Sequence, residues 1–278
     1  MVKIVADTTS CLPEKIREEF DIPVIPQLIH FGDLTFTEGV DINNLEFLER
    51  LESSRQLPKT AAPPPELFRK VFAALVPAGE PILCIHPSTD LSGTVRSAVV
   101  ASQDFPDADI RVMDTRLVAS PLGVLVHQAA LLARDGKSVE EIQSAVEYLA
   151  QRCRLLFLVS TLDYLARGGR IGGASALLGN ALQIKPILNL VDGKVEPYQK
   201  ARTFPKALHL LRKEVLQDYP EDEPGYLTIM HAAVPGQAAE LAAFFQSKLG
   251  IPKPVISDLP PAIVTHAGPG AIAVGFFQ

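Results

Sequence analysis

Apolar residues along this chain fall into short runs of strand length and longer stretches in which apolar positions recur at helical spacing. In the first half of the chain the two kinds of segment alternate. Strands are predicted at Val2–Ala6, Ile22–Ile29, Ile82–Ile85 and 110–116, and helices at Pro13–Phe20, Leu45–Ser53, Glu66–Leu75, Ser92–Ser102, Pro121–Ala133 and Val139–Arg152. This alternation predicts an α/β/α domain over residues 1–152, with a mostly parallel sheet covered by helices on both faces.

From about Cys153 the pattern changes to short strands between glycine-rich loops, with two clear helices. The strands are predicted at Leu155–Val159, Ile187–Leu190, Lys194–Pro197, Tyr226–His231 and Val255–Asp258, and the helices at Phe204–Gln217 and Gln237–Leu249. Val191-Asp192-Gly193-Lys194 is typical of a tight hairpin turn, which indicates antiparallel pairing. We therefore predict a second, smaller two-layer α/β domain with a mixed sheet over residues 153–278.

Composition narrows the class of protein. The 278 residues are 47% hydrophobic and 21% charged, as in a soluble globular protein. The net charge of −6 argues against a nucleic-acid-binding surface. The three widely spaced cysteines, Cys11, Cys84 and Cys153, suggest neither a disulfide framework nor a zinc site. Because the N-terminus lacks the apolar region of a signal peptide and no apolar run is long enough to span a bilayer, we expect a cytoplasmic protein.

The segment Leu91-Ser92-Gly93-Thr94 follows the predicted strand Ile82–Ile85 and opens a predicted helix. Ser92 is a plausible N-cap, and Gly93 lets another group approach the helix start closely. Free N–H groups and the positive end of the helix dipole favour a small anion such as a carboxylate or a phosphate. The same pattern also fits an ordinary capped helix.

Two further polar segments occur in the first half. The hydroxyl-rich turn 7–13 follows the first strand, where it fits either a ligand site or a simple helix cap. Leu57–Pro65 is predicted to be irregular because its prolines limit regular structure on both sides. Thr60 is a lone hydroxyl residue in that segment and a weak candidate for ligand binding.

Three stretches of the second half carry candidate chemistry. Thr161–Ile171 reads as a helical turn ended by Gly168 and Gly169, with Arg170 beyond it. Lys200-Ala201-Arg202 is predicted to follow a strand, with two like charges on one face. His266 stands just before a Gly-Pro-Gly turn and could be structural, a metal ligand or a hydrogen-bond donor to an anion. Metal ligation is disfavoured because the other histidines show no ligand-like spacing with it.

Several motifs, in order, carry a resemblance to a known family. They are Asp-Thr-Thr-Ser-Cys-Leu-Pro at 7–13, Lys59-Thr60, Leu91-Ser92-Gly93-Thr94 with Ser97-Ala98, Asp114-Thr115-Arg116, Thr161-Leu162-Asp163-Tyr164-Leu165 with Gly168-Gly169-Arg170-Ile171, Ile184-Lys185-Pro186-Ile187-Leu188, Lys200-Ala201-Arg202 and His266-Ala267-Gly268-Pro269-Gly270. Over about residues 3–277 the chain resembles the bacterial DegV family.

The resemblance implies two α/β domains with a buried ligand tunnel between them that holds one long-chain fatty acid, such as palmitate, stearate or oleate. It implies a non-catalytic lipid-binding subunit that presents the acid to a separate ATP-dependent fatty acid kinase subunit for acyl phosphate formation in phospholipid metabolism. By that resemblance Thr60, Ser92, Gly93 and His266 bind the carboxylate, and Arg170 and Arg202 lie on an outer rim facing the kinase or the phosphoryl group. We also expect a monomer with no cofactor, no metal and only peripheral or transient contact with a membrane.

The chain departs from the family where serine and glutamine commonly follow the threonine, because it has Ala61 and Ala62 there. Either Thr60 and the backbone suffice for the head group, or the site is more apolar and the ligand differs. Two alternatives stay open. One is a stand-alone hydrolase of lipid-like esters that uses Ser92 and His266 with Asp7 or Asp90, although the Gly-x-Ser-x-Gly motif is missing. The other is a lipid sensor or storage protein without a kinase partner.

Overall fold

A computed structural model of the chain describes residues 1–54, 56–178, 184–221 and 223–278. The chain divides into two compact units, Met1–Gln151 and Arg152–Gln278. The sequence pattern had placed the division between residues 152 and 153. Within the described residues, no helix is both long and apolar enough to cross a membrane.

The first unit alternates strands and helices. Its strands are β1 Lys3–Asp7, β2 Val24–Ile25, β3 Leu28–Phe31, β4 Leu34–Thr37, β5 Lys59–Ala61, β6 Ile82–His86 and β7 Ile110–Asp114. Its α-helices are α1 Glu14–Glu19, α2 Asn44–Ser53, α3 Pro65–Leu75, α4 Thr94–Ser102, α5 Ser120–Arg134 and α6 Val139–Gln151, with 3₁₀ turns at Thr8–Ser10 and Val76–Ala78.

A parallel sheet with the strand order β2-β1-β6-β7 forms the centre of this unit. Side chains alternate between the two faces of a strand. In β6, Ile82 and Cys84 pack with α3 and α4, whose contributions include Phe68 and Ala98. Leu83, between them in the sequence, is also fully buried, so both faces of the sheet are covered. The predicted α/β architecture is confirmed for this unit, and its buried strands explain the continuous apolar runs.

A small antiparallel sheet, β4-β3-β5, was only partly foreseen. The extended stretch Ile22–Ile29 divides at Pro26 and Gln27 into β2 and β3, which belong to different sheets. The prediction of an irregular Leu57–Pro65 was wrong, because Lys59–Ala61 forms the edge strand β5. Pro58 and Pro63 lie outside these three residues and therefore remove no hydrogen bond from the ladder.

The second unit is built on a mixed sheet. Its strands are β8 Cys153–Leu158, β9 Lys185–Val191, β10 Lys194–Ala201, β11 Thr228–His231, β12 Val255–Asp258 and β13 Ile272–Phe277. Its α-helices are α7 Asp163–Arg167, α8 Phe204–Asp218, α9 Pro235–Leu249 and α10 Pro261–Ala267, with a 3₁₀ turn at Gly172–Leu177.

The strand order of this sheet is β10-β9-β8-β13-β11-β12, and β11 and β12 are its parallel pair. The predicted hairpin is confirmed: Asp192 and Gly193 join β9 and β10 with φ angles of 48° and 80°, as a two-residue primed turn requires. Leu211 of α8 and Phe245 of α9 pack in one core with strand residues such as Val274. Neither α10 nor β13 was predicted, because α10 is short and β13 is buried along its whole length and lacks alternation.

Candidate functional site

The segment before α4 in the first unit places Ser92 differently from the prediction. The helix begins at Thr94, and its N-cap is Gly93, which makes no side-chain cap hydrogen bond. Backbone N–H groups of Leu91 and Ser92 both donate to the Ser88 carbonyl, so a turn precedes the helix. The assignment of Ser92 as N-cap was therefore wrong. Its hydroxyl oxygen accepts from the Thr94 backbone N–H at 3.3 Å and lies 2.8 Å from the Thr94 hydroxyl.

The strand that carries Thr60 lies beside this segment. Thr60 is half-buried and pairs with Ile29 in the small sheet. A Cβ atom added to Gly93 would stand 3.3 Å from the Cβ atom of Ala62, just after β5. The structure thus brings the end of β5 and the start of α4 into contact. The methyl group of Ala62 packs against the helix start, which accounts for a small residue at both positions.

The end of β1 carries a buried carboxylate that sequence reasoning noted only as part of a hydroxyl-rich turn. Asp7 is fully buried. Its Oδ1 accepts from the Thr9 backbone N–H at 3.0 Å, from the Thr9 hydroxyl at 2.5 Å and from Gln27 Nε2 at 3.1 Å. Its Oδ2 lies 2.8 Å from Nδ1 of His86, which is also fully buried. The turn after β1 therefore folds around Asp7 as a cap, because buried polar groups need partners.

A continuous chain of hydrogen bonds connects this carboxylate to Ser92. Gln27 Nε2 also lies 3.0 Å from the Thr94 hydroxyl, which in turn meets the Ser92 hydroxyl. We call Asp7, His86, Gln27, Thr94 and Ser92 the Asp7 network. Sequence reasoning missed it, although one signal existed: Asp7 and His86 end neighbouring parallel strands, whose carboxyl ends meet at one edge of a sheet.

In the second unit, α7 and α10 bring Gly168 and His266 together. Gly168 follows the last residue of α7, and His266 lies in the last turn of α10. A Cβ atom on Gly168 would stand 2.1 Å from Nδ1 of His266 and 2.9 Å from its Cε1. Arg170 Nη1 donates to the Gly168 carbonyl at 2.7 Å, which fixes the guanidinium beside this contact. The imidazole therefore occupies space that only a glycine leaves open.

The environment of His266 controls its protonation. Burial is the main cause that lowers the pKa of its imidazole from the ordinary 6.5 to about 4, and the positive charge of Arg170 is the second cause. His266 is therefore neutral at pH 7. A neutral imidazole offers one N–H donor and one acceptor nitrogen, so it can donate a hydrogen bond to an anion without adding charge.

Arg202 and Lys200 are exposed near the end of β10. The sequence had placed Lys200-Ala201-Arg202 after a strand, which was wrong for its first two residues because β10 runs through Ala201. Arg170, predicted with Arg202 on an outer rim, is half-buried. In the described part of the chain, no group of three or more His, Cys, Asp or Glu side chains could hold a metal ion.

Comparison with known proteins identifies the family. The model described as "Uncharacterised protein, DegV family" matches residues 1–278. This chain belongs to the DegV family. A DegV domain-containing protein of Clostridium acetobutylicum is 36% identical over 280 residues, covering 99% of this chain and 97% of that relative.

Solved DegV structures share the fold. One is a DegV family protein from Thermus thermophilus, described by its fatty acid binding, with a TM-score of 0.90, 30% identity and coverage of 100% of this chain and 99% of that one. Another is a stearic acid-binding protein from Eubacterium ventriosum, with a TM-score of 0.92, 26% identity and coverage of 100% and 98%. The DegV fold of this chain thus has relatives that bind fatty acids.

Proposed function

We propose that this DegV protein binds one long-chain fatty acid and presents its carboxylate to a separate kinase subunit in the cytoplasm. The binding proposal rests on one observation: the residues that the family resemblance selected offer uncharged hydrogen-bond donors. Ser92 and Gly93 lie at the start of α4, beside the strand that carries Thr60. His266, the fourth candidate, is neutral at pH 7.

Uncharged donors suit a ligand that must be handed on. Hydroxyl groups, an imidazole N–H and the N–H groups of a helix start stabilise a carboxylate through hydrogen bonds. The apolar tail supplies most of the affinity: about fifteen methylene groups at ~0.8 kcal/mol each contribute on the order of 12 kcal/mol before the costs of association. Such a division lets the protein hold the acid firmly while leaving its head group reactive.

The transfer step belongs to the partner in this proposal. The chain has no Gly-x-x-x-x-Gly-Lys-Ser/Thr loop that would cradle nucleotide phosphates, so ATP binding is assigned to the kinase subunit. Arg170 and Arg202 then serve the kinase contact or the transferred phosphoryl group, for which guanidinium groups have matching geometry.

The hydrolase alternative finds little support in the first unit. Asp7, one of the two acids considered for orienting His266, accepts instead from His86. A hydrolase would turn over a fatty ester without a partner, whereas a carrier would bind the free acid and leave an ester unchanged. A sensor or storage protein would bind the acid with no kinase partner.

Binding is tested by native mass spectrometry of the purified protein, followed by identification of the released lipid. We expect a stoichiometric fatty acid of fourteen to eighteen carbons, and palmitate affinity roughly tenfold lower in each of Thr60→Val, Ser92→Ala and His266→Gln. Thr89→Val is the matched control, because Thr89 is exposed and bonds to Asp114. An empty protein that does not take up palmitate would refute the proposal.

Presentation to a kinase is tested by reconstitution with a fatty acid kinase subunit and labelled ATP. We expect acyl phosphate with the wild type and at least a tenfold loss of its formation in Arg202→Gln with palmitate affinity unchanged. Lys200→Gln removes a neighbouring exposed charge and should retain the activity. Palmitate binding without any acyl phosphate would favour the sensor or storage alternative, and ester hydrolysis by the chain alone would favour the hydrolase.

A further inference from the structure

The hydrogen bonds of the Asp7 network have a direction that begins at Gln27. Nε2 of Gln27 lies 3.1 Å from Asp7 Oδ1 and 3.0 Å from Thr94 Oγ1. An amide nitrogen can only donate, and it has two hydrogens. Turning the amide over would place its oxygen against a carboxylate oxygen, which is repulsive. Gln27 therefore donates one hydrogen bond to Asp7 and the other to Thr94.

That donation fixes the role of the Thr94 hydroxyl. Thr94 is fully buried, so its own hydroxyl hydrogen needs an acceptor. Ser92 Oγ, at 2.8 Å, is the acceptor that the described residues place within reach. Ser92 Oγ also accepts from the Thr94 backbone N–H at 3.3 Å. With both lone pairs of Ser92 engaged by Thr94, the Ser92 hydroxyl hydrogen is left to point away from the network.

We propose that Gln27 and Thr94 are positioning residues that hold Ser92 as a hydrogen-bond donor toward the head group of the ligand. The inference rests on the proposed fatty-acid function. A donor held in this way favours a head group that only accepts, such as an ionised carboxylate. It discriminates against the hydroxyl of a fatty alcohol of the same length, because that hydroxyl is an uncharged and weaker acceptor and carries a hydrogen that Ser92 cannot accept.

The test compares two probes, palmitate and 1-hexadecanol, by displacement of a fluorescent fatty acid from delipidated protein. Thr94→Val removes the hydroxyl with little change of shape, so that Ser92 can rotate and accept from the alcohol. We expect the ratio of palmitate affinity to hexadecanol affinity to fall about tenfold, as expected for loss of a hydrogen bond to a charged group. Thr94→Ser should keep the wild-type ratio, and Thr89→Val should leave it unchanged.

If the role of Thr94 is merely structural, Thr94→Val would lower both affinities together and leave their ratio unchanged. That result would overturn the inference. Palmitate binding by the wild type would still support the proposed function. A wild type that binds neither probe would overturn both. If Thr94→Val does not fold, Gln27→Met gives the same test through the preceding hydrogen bond. In a Ser92→Ala background Thr94→Val should have no further effect on palmitate affinity, and an additive loss would refute action through Ser92.

Discussion

Acidification should destabilise the second unit through His266. The folded protein holds the imidazole at a pKa of about 4, against an ordinary value of 6.5. Between these values the unfolded chain binds more protons than the folded one, so the free energy of unfolding decreases as the pH falls from about 6.5 to 4. The stability contributed by the neutral imidazole is present above pH 6.5 and is lost below pH 4.

The size of this effect follows from the difference between the two pKa values. At about 1.4 kcal/mol for each pH unit, His266 should account for a loss of about 3 kcal/mol across the whole window and about 2 kcal/mol between pH 7 and pH 5. Urea denaturation of delipidated protein at these two pH values measures the loss. The loss measured for His266→Gln between the same two pH values is subtracted, which removes the contributions of the other titrating groups. His209→Gln is the matched control, because His209 is exposed on α8.

Equal losses in the wild type and in His266→Gln would refute this reasoning, because they would show that burial and Arg170 do not act on the imidazole as described. Direct titration of the His266 ring by NMR provides an independent check. A midpoint near 6.5 in the folded protein would contradict the lowered pKa from which the predicted loss of stability follows.

Three further predictions concern stability and are measured by urea denaturation at pH 7. Gly168→Ala should lower the free energy of unfolding by about 1–3 kcal/mol and shift the NMR signals of the His266 ring, because the added Cβ overlaps Nδ1. Gly236→Ala is the control: its new Cβ meets nothing within 4 Å, so the change should be neutral or slightly stabilising. Equal costs for the two variants would contradict the steric argument. Asp7→Asn should cost about 3–5 kcal/mol by placing an amide among buried donors, and a cost below about 1 kcal/mol would show that the carboxylate is dispensable. Gly193→Val should cost about 1–2 kcal/mol because φ is 80°, and a neutral result would contradict the turn assignment.

The parts of the fold that the sequence predicted are those controlled by local pattern. Strand β6 is a continuous apolar run between turn residues, and the structure buries all of it. The β9–β10 hairpin follows from Asp192-Gly193, because that pair adopts positive φ angles readily. Strand β5 was missed because its formation depends on pairing with β3, which comes much earlier in the chain.

The candidate site shows the same division. Ser92 and Gly93 could be selected from the sequence because they lie in a polar turn between a predicted strand and a predicted helix. Gln27 could not, because it gives no signal until β1, β3 and α4 are assembled around it. The error at Ser92 has a related cause: serine is a frequent N-cap, but here the N-cap is Gly93 and the Ser92 hydroxyl bonds to Thr94, the first residue of the helix.

The close fit of Gly168 against His266 has a consequence for how related sequences can vary. Because a Cβ atom at position 168 and an imidazole at position 266 require the same space, position 168 cannot gain a side chain while histidine stays at position 266. A homologue with a side chain at position 168 is expected to carry a smaller residue than histidine at position 266, and restoring histidine there without glycine at position 168 should be poorly tolerated. A side chain at position 168 would therefore identify the family members that lack an imidazole at the end of α10.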